Sequence, residues 1–358
     1  MTLDFVSLFT YLSFGLNRES AVKNCVDIQS GEEWEFLFRQ SSEQGVLALV
    51  WDGLQKLPPE LQPPRELRLR WVYNVEQIER RYENQRRAAS RLAELFAAEG
   101  IRTVVLKGLA VGALYPVPAH RPCGDLDCFL CGDYERGNRL AEIAGAEVKR
   151  DFYKHSHIVF RGLTVENHQF CTAIRGSRRA KDFERYLQRL LAMRPLEHLP
   201  DSSLLVPPAD FNALFLIKHA LSHFLTEGIS LRHLCDWAVF IDREGANVDW
   251  AAFRKVAAEH QLLRFAEILS DLSVRYLGVE TNPLPADAAS LADRVMANIL
   301  YERRHLNDSP GNAWVQRLRL MGNIFRDRWK YRDVYDRSFL LETLRLPIGF
   351  LFDRNPKL

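Results

Sequence analysis

The chain has 358 residues, 47% of them hydrophobic and 26% charged, with a formal net charge of +2. That length predicts two or three domains with true cores. The near-neutral charge gives no broad basic surface of the kind that marks a nucleic-acid binder. Six unevenly spaced cysteines argue for a reducing compartment rather than a disulfide framework.

The first twenty residues are apolar but carry Asp4 where a signal peptide needs positive charge, and no run of about 18 apolar residues occurs anywhere. A buried helix, a cytoplasmic setting and no membrane span are therefore expected. Residues 1–56 read as helical, with Trp34, Phe36, Leu37 and Phe38 as core. Pro58, Pro59, Pro63 and Pro64 break that region. A long helix then runs from about 65 to 98, because Leu67, Trp71, Val75, Ile78, Leu92, Leu95 and Phe96 recur at helical spacing, and Gly100 stops it.

Residues 101–170 change character. Thr103 to Leu106 is a short apolar run ending at Lys107-Gly108, followed by a helix-like LAVGALY. Asp125-Leu126-Asp127 leads into apolar Cys128, Phe129 and Leu130. In a strand, alternate side chains share a face, so Asp125 and Asp127 point one way and Leu126 the other. Neighbouring carboxylates repel, and a divalent cation between them removes the repulsion. A helix follows over 133–145. HIVF, Arg161-Gly162 and LTVENHQF then read as a β-hairpin, with Glu166 and His168 on one strand face. After Pro207-Pro208 helical periodicity returns: one helix holds Phe211, Leu214, Phe215, Lys218, Leu221 and His223, and two more cover 231–242 and 250–258. The last segment, 311–358, carries ten Lys or Arg against five Asp or Glu, interleaved with Trp314, Trp329, Tyr331 and Tyr335.

These residue types suit phosphoryl or nucleotidyl transfer, which needs metal ions, positive charge on the phosphates and in-line placement of the nucleophile. Asp125 and Asp127 would hold the metal, with Glu166 as a third acid. Lys107-Gly108 lies at a strand-to-helix turn suited to a phosphate. Arg121 would clamp a second phosphate.

LKGLAVGALYP, HRPCGDLDCFL and VENH together resemble the uncharacterised nucleotidyltransferases of the polymerase-beta-like superfamily. FLIKHALSHF, LRHLCDWAVFI and VDWAAF resemble that family's helical appendage. The resemblance covers about 100–260. It implies an α/β fold, a small mixed-sheet nucleotidyltransferase core with helical regions on both sides. As domains this reads 1–62, 63–200 and 201–358. It implies Mg²⁺ or Mn²⁺ on Asp125, Asp127 and Glu166, and a nucleoside triphosphate such as ATP held by Lys107, Gly108, Arg121 and Gly124. The acceptor side falls to His168, His219, His223, Arg232 and Asp236, facing an acceptor whose identity stays open. Two departures stand out: Leu109 follows Gly108 where Ser or Gly is commoner, and Asn167 and Gln169 flank the strand histidine.

Plainer readings stand beside these. His219 and His223 share a helix face but lack the intervening Glu of an H-E-x-x-H zinc motif, so structural hydrogen bonding is the competing role. Cys128 and Cys131 could be imagined binding zinc with His155 and His157, but a core role suits Cys128 better. The basic run Arg175, Arg178, Arg179, Lys181, Arg185 and Arg189 reads as a solvated helix face or a backbone-binding surface, and the basic aromatic tail as a packed segment. At the level of function, the alternatives to nucleotidyl transfer are phosphotransfer at the same site and a non-catalytic module that binds a nucleotide or a partner.

Overall fold

The computed structural model describes residues 3–18, 28, 30–150, 152–174, 177–285, 289–301, 322 and 326–335. Arg175 and Trp314, named above, lie outside them. Three helices come first, α1 (Leu3–Gly15), α2 (Gly31–Glu43) and α3 (Leu47–Leu54), then the long α4 (Arg65–Ala98). Ser30 caps α2 in a capping box with Glu33, which fixes where that helix begins. Strands β1 (Thr103–Val105) and β2 (Leu126–Phe129) flank the short α5 (Leu109–Gly112). After α6 (Tyr134–Ile143) come β3 (Glu147–Lys149), β4 (His155–Phe160) and β5 (Leu163–His168). Then follow α7 (Arg178–Met193), β6 (Glu197–His198) and β7 (Leu204–Val206). The remaining helices are α8 (Ala209–Thr226), α9 (Leu231–Glu244), α10 (Trp250–Glu259), α11 (Leu263–Leu277) and α12 (Ala289–Tyr301). Among the described residues no helix is long and apolar enough to cross a membrane.

The strands form one mixed seven-stranded sheet in the order β3-β4-β5-β2-β1-β7-β6. β2 pairs antiparallel with β1 and parallel with β5. β4 and β5 form the expected hairpin, and its turn residues Arg161 and Gly162 have φ of 50° and 79°. Positive φ at both central residues matches the right-handed strand twist, which locks the register. β7 lies beyond residue 200 and pairs in parallel with β1, so the sheet continues into the stretch that also carries the C-terminal helices.

The pleat sorts side chains into two cores. Leu126 and Cys128 of β2 face one way, with Val105, Ile158 and Val165, onto α6 and the C-terminal half of α4 through Ala89, Leu92 and Phe96. Val104, Leu106 and Phe129 face the other way, into a larger core with Phe211, Phe215, Trp237 and the N-terminal helices. Cys128 is thus a core cysteine, as preferred, and it points away from the face that carries His155 and His157. Helix α4 spans both cores: its first half buries Leu67, Trp71 and Val75 in the larger one. Trp34 and Leu37 of α2 are buried, while Phe36 and Phe38 pack half-buried around them.

Two expectations change in detail. The helix after Lys107-Gly108 is a single turn, so it carries only a small macrodipole toward a phosphate. In the basic tail, Trp329 and Tyr331 are buried, and the Lys330 ammonium donates to the Phe224 carbonyl oxygen at 3.0 Å, so this part of the tail is packed. Arg178, Arg179, Arg185 and Arg189 are exposed on α7, whose other face buries Phe183, Leu187 and Leu191.

His120 ties the segment before β2 to the N-terminal helices. Its Nδ1 lies 2.7 Å from Asp52 of α3 and its Nε2 lies 2.9 Å from Glu79 of α4. Burial works against its charge, but the hydrogen bonds to the two carboxylates outweigh burial and hold its pKa above the ordinary histidine value. A raised folded-state pKa contributes stability that is complete below the unfolded value and is lost as pH rises through the folded one. Wild type should therefore lose this contribution as pH climbs from about 6.5 upward. His120→Gln should lack it, so the Tm difference between the two proteins should narrow from pH 6 to pH 9. A constant difference in thermal melts across that range would assign His120 a purely packing role.

Candidate active site

The site begins at the β1–β2 junction. Gly108 has φ of 61°, and a Cβ there would meet Cys123 Sγ at 2.9 Å and the Asp125 carbonyl oxygen at 3.4 Å. Only glycine lets this turn close on the 123–125 loop. The loop is held from behind by α4, whose Gln85 amide donates to the carbonyl oxygens of Cys123 (3.2 Å) and Gly124 (2.8 Å). Asp125 lies in the bend just before β2, and Asp127 is the second residue of the strand.

Asp127 is only 2% exposed. Its Oδ1 lies 3.1 Å from His168 Nε2, and its Oδ2 lies 3.0 Å from Lys107 Nζ without hydrogen-bond geometry, leaving Oδ2 a buried acceptor with no hydrogen bond. Burial opposes its charge, but Lys107 and His168 prevail and hold the carboxyl below the usual range. Asp125 behaves in the opposite way. Burial and then the neighbouring Asp127 push its pKa up, and among the described residues no side chain bonds or pairs with its carboxylate. Glu166 pairs in register with Asp127 on the adjacent strand, so both point to one face. His168 Nε2 stands between them, 3.3 Å from Glu166 Oε2. Burial acts against the Glu166 charge, yet hydrogen bonding to His168 lowers its pKa.

Two residues next to this centre were legible in the sequence but were not paired with Glu166 there. His155 and His157 of β4 lie opposite His168 and Glu166 in the hairpin register. His155 Nδ1 is 3.4 Å and His157 Nε2 3.7 Å from the Glu166 carboxylate. Burial pushes His155 down to about 4, against the pull of Glu166. The signal was available: H-x-H and E-x-H on the two arms of a two-residue hairpin must face each other on one side.

The opposite wall comes from α8 and α9. A cavity of about 40 Å³ is lined by Lys107, Gly108, Asp125, Asp127, His219, Arg232 and Asp236, among others. Of the residues singled out in the sequence, Lys107, Gly108, Arg121, Gly124, Asp125, Asp127, His219, Arg232 and Asp236 line this cavity; the His223 ring lies 4.5 Å from that of His219, and His168 lines a separate groove. Lys107 Nζ is 3.4 Å from His219 Nε2. Burial is the main cause that lowers the pKa of His219, His223 and His233, which leaves this wall rich in neutral imidazole. His233 and Tyr115 were not singled out in the sequence. Arg121 lines the cavity but is engaged: its Nε and Nη2 donate to the two oxygens of Asp236 at 2.7 and 2.8 Å, and the Tyr115 hydroxyl donates to Asp236 Oδ1 at 2.7 Å. Burial disfavours both charges, while each partner's field drives Arg121 up and Asp236 down.

A volume of that size holds an ion with a water, not a nucleotide. Two larger grooves adjoin it. One of about 540 Å³ meets the site at Gly124 and is lined by Arg80, Arg81 and Arg161; another of about 720 Å³ meets it at His168 and is lined by Arg102, Arg136 and Arg139.

The fold and the site define a mixed-sheet α/β protein with a carboxylate centre beside cationic grooves. Residues 30–278 match the family model described as uncharacterised nucleotidyltransferase, and the chain belongs to that family. No curated protein and no solved structure matches it.

The Arg121–Asp236 pair should carry the geometry of this wall. Removing one member leaves an uncompensated buried charge, at a cost of about 3–5 kcal/mol. Arg121→Met and Asp236→Leu should each destabilise by that order in urea unfolding, and the double variant should recover part of the loss. Strict additivity would mean the two side chains act independently.

Proposed function

We propose that this protein transfers a nucleoside monophosphate from a nucleoside triphosphate to a nucleophile on an acceptor, using a divalent metal held by Asp125, Asp127 and Glu166. The observation that carries this reading is the Asp127 carboxylate. It is buried, its Oδ2 makes no hydrogen bond although Lys107 Nζ lies 3.0 Å away, and it faces a small cavity that it shares with Asp125, whose pKa burial and Asp127 raise against the pull of Lys107. A protein tolerates such a pair readily when a cation joins it, and three carboxylates are the hard oxygen donors that Mg²⁺ prefers. The residues present therefore fit the metal. When bound, it would neutralise phosphate charge and favour in-line displacement at phosphorus.

The chain's own groups have the following roles in this reading. The acceptor oxygen attacks the α-phosphorus and pyrophosphate leaves. Lys107, already 3.0 Å from Asp127, supplies a point charge for the phosphates. The triphosphate lies along the groove of Arg80, Arg81 and Arg161, and Gly124 lets it approach the carboxylates closely. His219, neutral through burial, presents a ring nitrogen without adding positive charge that would compete with the metal. His223, Arg232 and His168 line the acceptor side. Arg121 and Asp236 act as positioning residues, because each is bound to the other. The domain reading continues this proposal: residues 63–200 supply the carboxylates, and the segment from 201 onward selects the acceptor.

Incubation with each nucleoside triphosphate, Mg²⁺ and acceptor pools, followed by mass spectrometry, tests the reaction. An acceptor that gains a nucleoside monophosphate supports it. A gain of one phosphate would point to phosphotransfer, and no modification with intact nucleotide binding to a binding module. Asp125→Asn and Asp127→Asn should lower turnover by about 10³-fold or more with the fold retained. Wild-type turnover in both variants would remove the metal assignment.

A further inference from the structure

We propose that His155, Glu166 and His168, with Asp127 beside them, form a binding site for a borderline first-row dication of the Zn²⁺ type. The site adjoins the proposed Mg²⁺ centre and shares Glu166 with it, but its donor set differs because two of its three side chains supply imidazole nitrogen. Hard Mg²⁺ avoids such donors, whereas zinc-type ions favour them.

Three geometric observations support the site. First, one ligand atom each from His155, Glu166 and His168 lies within 4.8 Å of the others. Glu166 Oε2 is 3.4 Å from His155 Nδ1 and 3.3 Å from His168 Nε2, and Asp127 Oδ1 is 3.1 Å from the same His168 nitrogen. A tetrahedral ion with ligands at about 2.0–2.1 Å sets its ligand atoms about 3.3–3.4 Å apart, which the Glu166–His155 and Glu166–His168 spacings match; Asp127 touches this three-residue group through His168.

Second, His155 Nδ1 is buried and has no hydrogen-bond partner, although it lies beside the Glu166 carboxylate. A buried ring nitrogen without a partner costs free energy, and a metal bond would satisfy it. Third, His168 Nδ1 lies 3.2 Å from the Phe170 carbonyl oxygen. A proton fixed there turns the Nε2 lone pair toward Asp127 and Glu166. Donation of one ring N–H to a backbone carbonyl is the usual outer contact of a metal-bound histidine. A hydrogen-bond network alone accounts for less of this, because one Nε2–H cannot serve two carboxylates fully and His155 Nδ1 would still lack a partner. His157 Nε2, 3.7 Å from the other Glu166 oxygen, flanks the site on its more exposed side.

The test uses the full-length protein stripped of metal by chelation, without nucleotide, so an outcome here is independent of the transfer reaction. Co²⁺ and Zn²⁺ are titrated, the first followed by its visible spectrum and the second by calorimetry. The expected result is one equivalent of Co²⁺ with ligand-field bands, no thiolate-to-cobalt charge transfer, and no displacement by an equal concentration of Mg²⁺. His155→Ala and His155→Asn should each weaken Zn²⁺ binding at least about tenfold, while Cys131→Ser leaves it unchanged. Circular dichroism checks that the variants fold, and the wild-type cobalt spectrum stands without them. Absence of Co²⁺ uptake, a thiolate band, ready displacement by Mg²⁺, or full affinity in a folded His155 variant would each overturn the site. An inactive protein that binds one Co²⁺ through nitrogen and oxygen leaves it standing.

Discussion

The site depends on a buried ion pair. Arg121 enters from the loop that leads to Asp125, and Asp236 from α9; they meet in a bidentate contact from which water is largely excluded. Neither charge is tolerable alone at that depth, so the loop and the helix are obliged to stay together. Tyr115 holds the same Asp236 oxygen that Arg121 Nε reaches. Through this contact the stretch of α9 that faces Asp125 and Asp127 across the cavity is held against the loop that carries Arg121. An arginine that sequence reasoning would assign to a phosphate instead sets the distance between the two walls.

The N-terminal helices extend the same constraint. Gln44, just past α2, accepts at Oε1 from the Leu231 amide and at its carbonyl oxygen from the Arg232 amide, which satisfies free N–H groups at the start of α9. Its side-chain amide also donates to the Ile299 carbonyl oxygen. His120 links the segment before β2 to α3 and α4. The larger core runs from Phe9 and Leu12 through Val104 and Phe129 to Trp237 and Phe265. Helices from both ends of the chain therefore share one interior with the site face of the sheet, and disturbance of that interior reaches the carboxylates through α9.

The sheet also separates two kinds of burial. One face of β2 is apolar and packs on α4 and α6. There, Asn167 of β5 donates to Asn138 Oδ1 at 2.9 Å, and the Ser156 hydroxyl donates to the same oxygen at 2.6 Å, anchoring α6. The polar residue that departs from the family pattern thus has a packing role on the far face. The other face concentrates Asp127, Glu166, His168, His155 and Lys107, charges and potential charges that offset one another in a confined volume. Clustering of ionisable groups, with Asp127 and Glu166 held below and His155 pushed below their ordinary values, is typical of sites that bind ions or act on charged substrates.

Local pattern made much of this legible. The long helix, the hairpin with its Arg-Gly turn, the two-faced reading of Asp125-Leu126-Asp127 and the later helices follow from periodicity and turn chemistry, which act over a few residues. The motif order around Lys107-Gly108, Asp125-Leu126-Asp127 and Glu166 also pointed to the nucleotidyltransferase family to which the chain belongs. Tertiary structure alone decided which charges meet. Arg121 finds Asp236 across 115 residues of chain, Lys107 lies between Asp127 and His219, and β7 closes the sheet beside β1. No local rule encodes these partners, because a buried charge selects its counterion by proximity in the folded core rather than by spacing along the sequence.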